Sequence, residues 1–414
     1  LIFFRFVQGV GAAILYTVPV AILPSLFTDD GRGKATGILI GANGFGLAIG
    51  PVIGGFIVSA LSWRWIFFIN LPLILISILL CFKTIPESTH LEHGRKIDWP
   101  GLILLVMGFP FLVFATVEGS SWGWLSSTTL MLYVIAITSL TLFYIIELRS
   151  ESPIIQFKLF KNKMFLIGIV ANFSLAFFYT ILFFLLPLYL HNLRGQSADQ
   201  IGLTLLPATL LVALLSPVVG RLIDQKGPKL ILLIGFLAFM LSAFLQCFFQ
   251  ADTSMVFILT ALILFGLGWG FILSPSIVAT LSSVPESIGG VAMGSLGTLH
   301  NFGGAIGLAI GTVVYHSFAN SKLLTMLAAK KIAIGAWTNS IISNPDTALA
   351  SLQHMTHLAP AEAQQLFAEF FTYGYRGAMI LLLVITMIGF LLVALGLPNR
   401  KITGFRKVNV AETL

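Results

Sequence analysis

Apolar stretches near or above the roughly 18 residues that cross a bilayer recur eleven times along this chain. They lie at about 1–27, 35–60, 66–85, 99–117, 127–147, 164–190, 200–222, 229–249, 255–283, 291–318 and 377–397. No water-soluble fold buries so much apolar sequence in runs of that length. Only 9% of residues are charged and 57% are hydrophobic, against about 25% charged in ordinary globular proteins. A β-barrel would show segments of about ten residues with alternating polarity, and these are absent. The expected fold is an all-α polytopic membrane protein.

The net charge of +7 sits in short loops, so it marks orientation and not nucleic-acid binding. Arg32, Lys34, Lys83, Arg95, Lys96, Arg149, Lys158, Lys161, Lys163, Arg221, Lys226, Lys229, Arg400, Lys401, Arg406 and Lys407 fall on one side. The other side has Arg64, Arg194, Lys322, Lys330, Lys331 and Arg376. Lysine and arginine accumulate on the cytoplasmic side, which puts the C-terminus inside a multi-pass cell (inner) membrane protein. An odd number of spans then places Leu1 outside, within an apolar run and without an initiating methionine. The expectation is an N-terminally truncated piece of a longer transporter. Soluble sequence exceeds a short loop only at about 319–376, on the outer side. There "APAEAQQLFAEFF" (359–371) is expected to form an amphipathic helix lying at the interface.

The chain repeats. Shifted by 257 residues, 33–54 falls on 290–311, with identities at Gly33, Ala35, Gly37, Leu39, Phe45, Gly46, Ala48, Ile49, Gly50 and Gly54. An even number of spans separates the copies, so they share orientation, as parallel repeats about an axis along the membrane normal do. Ala42, Gly46, Gly50 and Gly54 are spaced by four, forming one helix ridge. Gly303, Gly307 and Gly311 form the equivalent ridge. Such ridges let membrane helices approach closely, and Gly50→Leu is expected to abolish export by widening the first. Pro51 removes the helical partner of the Leu47 carbonyl, and a bend is expected there. The repeat has Leu308 instead.

Several stretches together resemble the major facilitator superfamily, and within it the fourteen-span drug:proton antiporters of the EmrB/QacA type. "RFVQGVGAAIL" (5–15) resembles the fourth-span motif. "GFGLAIGPVIGG" (44–55), with Gly46, Gly50, Pro51, Gly54 and Gly55, resembles the fifth-span antiporter motif. "WRWIFFINLP" (63–72) is similar to the signature opening the sixth span. "IDWPG" (97–101) and "EGSSWGW" (118–124) resemble the edges of the first extra central span. "GRLIDQKGPK" (220–229), with Gly220, Asp224, Lys226, Gly227 and Lys229, is similar to the second copy of the cytoplasmic loop motif. It departs from the pattern where Gln225 follows Asp224.

The resemblance implies a major facilitator fold of two pseudo-symmetric helical bundles, with family spans 4–14 present. Residues 1–85 would be three spans of the N-terminal bundle, 86–150 two extra central spans, and 151–414 the C-terminal bundle of six. It implies a proton-coupled exporter of hydrophobic or amphipathic compounds working by alternating access. A related metabolite exporter, a non-transporting scaffold or channel, and an inactive fragment stay open. The chain is not expected to be an enzyme and needs no cofactor.

Apart from Lys83, Arg221 and Lys229 at span edges, Arg5 is the only basic residue inside a span and is expensive there. With Gln8 and His300 it is a candidate for proton coupling, and Gln8 could bond to a neighbouring helix. Asn43, Asn172, His300 and Asn301 are candidate cavity-lining groups, and Asn70 is a further near-span polar residue. The loop motif implies a conformation-sensitive ion pair around Asp224, Lys226 and Lys229. Glu118 and Glu147 sit at span ends and read as interfacial charges. Cys81 and Cys247 read as small buried hydrophobes. His90/His93 and His354/His357 lack partners to complete a metal site. Expected partners are the substrate, protons and lipid, with contact to a periplasmic adaptor open at the outer loop.

Overall fold

The computed structural model describes residues 2–26, 42, 45–46, 49–85, 98–285, 288–332, 335, 337–343 and 345–397. Among these there is no strand. The helices are α1 (Ile2–Leu26), α2 (Ile49–Ala60), α3 (Trp65–Phe68), α4 (Asn70–Thr84), α5 (Trp99–Trp122), α6 (Ser127–Glu147) and α7 (Lys163–Asn192). They continue with α8 (Ala198–Lys226), α9 (Pro228–Gln246), α10 (Met255–Ser282), α11 (Gly289–Ala329), α12 (Trp337–Ser343), α13 (Pro345–Thr356) and α14 (Pro360–Gly396). Nine helical segments among the described residues are long and apolar enough to cross a bilayer, α3 and α4 counting together as Trp65–Thr84. Phe3–Leu15 and Ile49–Ala60 are shorter apolar helices. Nine of the eleven expected spans thus correspond to helices of spanning length, and the expected spans at 1–27 and 35–60 to the two shorter apolar helices among the described residues.

Polar residues at the ends set where helices begin. Asp98, Ser126, Asn162 and Ser254 cap α5, α6, α7 and α10, each accepting a hydrogen bond from a first-turn N–H. Ser197 and Gln200 form a reciprocal capping box at α8, satisfying donors that lipid could not. Between α8 and α9 the chain reverses at Gly227, whose φ of 78° favours glycine. Pro228 then opens α9, where its missing N–H costs nothing.

The main core lies among α7, α8, α9, α10, α11 and α14, with Phe178, Phe236, Phe239, Phe265, Phe371 and Tyr375 fully buried. Side chains larger than hydrogen are excluded where these helices touch. A Cβ on Gly235 would lie 2.7 Å from Ile272, and one on Gly374 2.8 Å from the Tyr315 carbonyl oxygen. By contrast, no described side chain of α1 to α4 is buried. Leu73, Ile74, Leu75 and Ile76 point to all sides of α4 and all are exposed.

The segment 359–371 corrects the sequence expectation. It does not lie at the interface as a separate helix. It is the start of α14, and Ala363, Leu366, Phe367, Phe370 and Phe371 bury against Leu323 and Leu327 of α11 in the main core. At 41 and 37 residues, these helices run about 60 and 55 Å, well past a hydrocarbon layer of about 30 Å. Lys322–Glu369 (3.4 Å) and Lys330–Glu362 (3.3 Å) flank the pair in antiparallel register. α12 and α13 add Ile341, Ile342, Ala348 and Leu352 to the same core. The amphipathic pattern was real, but its apolar face meets a helix instead of lipid.

Candidate functional site

The second glycine ridge brings α11 onto α7. A Cβ on Gly303 would lie 2.8 Å from Phe173, on Gly307 2.8 Å from the Phe177 Cα, and on Gly311 2.6 Å from Ile181. Both sets are spaced by four, so two ridges run alongside each other. On the same turns, Gly168 of α7 faces the Ser276 carbonyl oxygen of α10, with 2.8 Å left for a Cβ. Three helices thus meet where Asn172 sits, fully buried.

Asn172 bridges them. Its Nδ2 donates to Ser276 Oγ at 2.9 Å, and its Oδ1 lies 2.6 Å from His300 Nδ1. The Ser276 hydroxyl proton goes to the Leu273 carbonyl at 2.8 Å, so Oγ can only accept from Asn172. That fixes the amide orientation and makes His300 Nδ1 the donor. His300 Nε2 is left for a proton or a ligand, on a side chain that titrates near neutral pH when unperturbed.

An aromatic wall stands beside this cluster. Tyr179 stacks on Trp269 at 5.0 Å and 9°, and lies 5.8 Å from the His300 ring. Phe183 and Phe265 close on Trp269 at 5.7 and 5.4 Å. Phe183 continues into a concavity of about 430 Å³ lined also by Pro187, Leu188, His191 and Ile201. From α5, Phe109 stacks on Phe302 at 4.0 Å, so the α5–α6 hairpin touches the helix that carries His300. Asn301 points away, exposed, with Nδ2 bonded to the Gly297 carbonyl.

Elsewhere the expected residues scatter. Arg5 donates to Gln8 within α1 at 3.1 Å and sits over the Phe67 ring at 4.7 Å. Gln8 therefore bonds within its own helix, with no hydrogen bond to another helix among the described residues. Both line a concavity of about 300 Å³ with Phe4 and Phe67, remote in sequence from His300 and joined to it by no hydrogen bond. Asn70 Nδ2 bonds the Ile66 carbonyl, and Asn43 lies outside the described residues. In the loop motif, Gly220 and Lys226 are on α8, and Lys229 Nζ donates to the Leu397 carbonyl at 2.7 Å. Its partner is thus the C-terminal end of α14; Asp224 is helical, its side chain outside what is described. Cys81 is exposed and Cys247 half-buried, both free, so the expected burial of Cys81 is not found.

For the first glycine ridge the described residues show no such contact. A Cβ on Gly46, Gly50 or Gly54 would meet no described atom within 4 Å. Helix α2 makes its close approach one residue further on, through Pro51, Gly55 and Ser59, again spaced by four. Gly55 abuts the Ala198 carbonyl, and a Cβ on Gly202 would lie 2.5 Å from the Pro51 carbonyl oxygen. Ser59 Oγ donates to Asp199 Oδ1 at 2.8 Å and accepts from the Asp199 N–H at 3.2 Å. The bend expected at Pro51 involves Leu47, outside the described residues.

Sequence reasoning missed Ser276, Tyr179, Trp269, Ser59 and Asp199. Ser276 had a faint signal, as part of a Ser-Pro-Ser break in an otherwise uncharged span. Asn172 and Ser276 are 104 positions apart, and nothing local announces that they meet.

Comparison with known proteins places this architecture. The family described as Major Facilitator Superfamily matches residues 1–308. The chain belongs to the major facilitator superfamily. Multidrug resistance protein 3 of Bacillus subtilis is 30% identical over 83% of this chain and 67% of its own length. Lincomycin resistance protein LmrB of Listeria monocytogenes is 32% identical over 75% of this chain and 66% of its own. Riboflavin transporter RibZ of Clostridioides difficile is 32% identical over 77% and 68%. The chain thus spans about two thirds of the length of these curated relatives. The crystal structure of a bacterial homologue of the human lysosomal transporter Spinster shares the fold, with a TM-score of 0.51 at 13% identity, over 92% of this chain and 74% of that one. This facilitator-superfamily chain is accordingly a multi-pass membrane protein of a transporter superfamily.

Proposed function

We propose that this chain is spans four to fourteen of a fourteen-span, EmrB/QacA-type proton-coupled exporter of hydrophobic compounds. The carrying observation is the His300–Asn172–Ser276 cluster. It is a titratable group tied to two other helices in the interior of the bundle and walled by aromatic rings. Intramembrane titratable groups are costly and are retained for function. A proton on His300 Nε2 would add charge beside the Tyr179–Trp269 stack, so occupancy by a proton and by a lipophilic substrate would be linked.

Alternating access requires the seam of α2 with α8 to open and close. With the C-terminus cytoplasmic, as the loop lysines and arginines favour, Ser59 and Asp199 lie at the outer end. The seam is then an outer closure. In this reading residues 1–85, 86–150 and 151–414 are a partial N-terminal bundle, a central hairpin and a C-terminal bundle. Arg5 and Gln8 belong to the first, positioned to sense spans that precede them.

The test is efflux of a lipophilic cationic dye from proteoliposomes under an imposed pH gradient. Antiport predicts efflux that rises with the gradient; efflux indifferent to it excludes proton coupling. A related metabolite exporter is the second reading, favoured by the Tyr179–Trp269 stack. That pair suits a planar ring, and one relative is named as a riboflavin transporter. Saturable competition between riboflavin and the dye would select it.

A further inference from the structure

Glu147 is not the interfacial charge that its place at a span end suggests. It is 4% exposed. Its Oε1 accepts from the Ile154 N–H at 3.0 Å and the Ile155 N–H at 3.4 Å, folding the following loop back over the carboxylate. Its Oε2 is buried without a hydrogen-bond partner. Helices α5 and α6 pack as an antiparallel hairpin, so the start of α5 lies beside the end of α6. There Asp98 caps α5 through Oδ1, which accepts from the Gly101 N–H at 2.8 Å. Asp98 Oδ2 is also buried and unpartnered. Among the described residues four buried polar side-chain atoms lack a partner; two of them belong to this one pair of acids.

Buried polar groups are almost always satisfied, and leaving an ionised one unmet is costly. One proton between two neighbouring carboxylates relieves both at once. The other charged side chains of the connecting segment, Arg149, Glu151 and Lys158, are exposed and bond to neither acid; Arg95 and Lys96 lie outside the described residues. A hard cation fits less well. It wants six or more oxygens, while the two acids offer four, two of them occupied by backbone N–H groups, and no group of three or more potential metal ligands occurs among the described residues.

We propose that Asp98 and Glu147 bind one proton between them, as an acid–carboxylate pair in which an O–H on one free oxygen donates to the other. The proton is taken from and returned to water on the side of the lysine-rich loops. Leu105, Phe143 and Ile155 bury the surrounding hairpin root. Phe109, three turns along α5 from Asp98, meets Phe302 next to His300. A role for this pair in coupling rests on the antiporter reading; the shared proton does not.

The test is infrared difference spectroscopy of the whole chain in nanodiscs, in H2O and D2O. At neutral pH the wild type should show a protonated carboxyl C=O stretch that shifts in D2O. Glu147→Gln mimics the protonated acid, and Asp98→Asn keeps a good helix cap; both should lose the band. Should either variant fail to fold, the wild-type band must still titrate away at high pH with a one-proton slope. Absence of the band at neutral pH, its persistence in both variants, or its appearance only after sodium or calcium is removed would overturn the proposal. A band present alongside gradient-independent efflux would instead refute antiport and leave the proton pair standing.

Discussion

The α2–α8 seam allows a paired experiment in which two glycines five residues apart give opposite outcomes. At Gly55 an added Cβ runs into the Ala198 carbonyl, with the Asp199 Cα at 3.1 Å. At Gly202 it would lie 2.5 Å from the Pro51 carbonyl and 3.1 Å from the Val52 Cα. These obstacles are backbone, so the helices must separate. Overpacking of this kind costs about 1–3 kcal/mol. Because the cost falls only on the closed arrangement, it shifts a two-state equilibrium by about 5- to 150-fold toward the open one. Gly55→Ala and Gly202→Ala should therefore raise the labelling rate of a cysteine placed at Ser59 by an impermeant maleimide, and slow dye export, while the protein stays in the membrane. Gly50→Leu should leave the labelling rate at Ser59 within about twofold, because no described atom of the α2–α8 seam stands within 4 Å of its Cβ. This reverses what spacing alone suggests. If Gly50→Leu raises the labelling rate and Gly55→Ala is silent, the seam has been assigned to the wrong face.

Other consequences follow from the same contacts. Asn172→Ala strips a partner from both Ser276 and His300; it should cost about 1–3 kcal/mol as an unsatisfied buried pair, seen as a lower melting temperature in detergent, and should move the pH profile of efflux. His300→Gln keeps a side-chain donor toward Asn172 but cannot titrate, so the profile should flatten while expression and melting temperature hold. Gly307→Val forces α11 from the Phe177 backbone, where only 2.8 Å is free for a Cβ; a loss of about 1–3 kcal/mol should appear as reduced thermal stability. Removing both Lys322 and Lys330 should cost under about 1 kcal/mol each, since exposed ion pairs are weak and their partners Glu369 and Glu362 are 41% and 53% exposed.

What sequence conveyed here follows the range of the physics. Helical class and the placing of nine spans are written in run length, because a bilayer imposes a minimum length whatever the neighbours. The packing role of Gly303, Gly307 and Gly311 was legible because spacing by four fixes a face. Which face of α2 is used was not, since Gly46–Gly50–Gly54 and Pro51–Gly55–Ser59 carry equally small residues and only the partner helix decides. The same limit explains 359–371: an amphipathic pattern states that one face is apolar, not whether lipid or α11 covers it. His300 and Asn172 stood out as polar residues in apolar spans. Ser276, Tyr179 and Trp269 are ordinary for such spans, and their meeting depends on three helices brought together across more than a hundred residues. Glu147 was misjudged because position along a span says nothing about the loop that folds back over it.

The central claim is that proton and substrate movements are linked at the three-helix cluster. The most direct measurement records both at once: dye efflux and internal pH in the same proteoliposomes, for the wild type and His300→Gln. The account predicts that addition of substrate to wild-type vesicles drives opposing proton flux, and that His300→Gln carries dye without moving protons. Substrate-driven proton flux undiminished in His300→Gln, or none in the wild type while dye is exported, would contradict it.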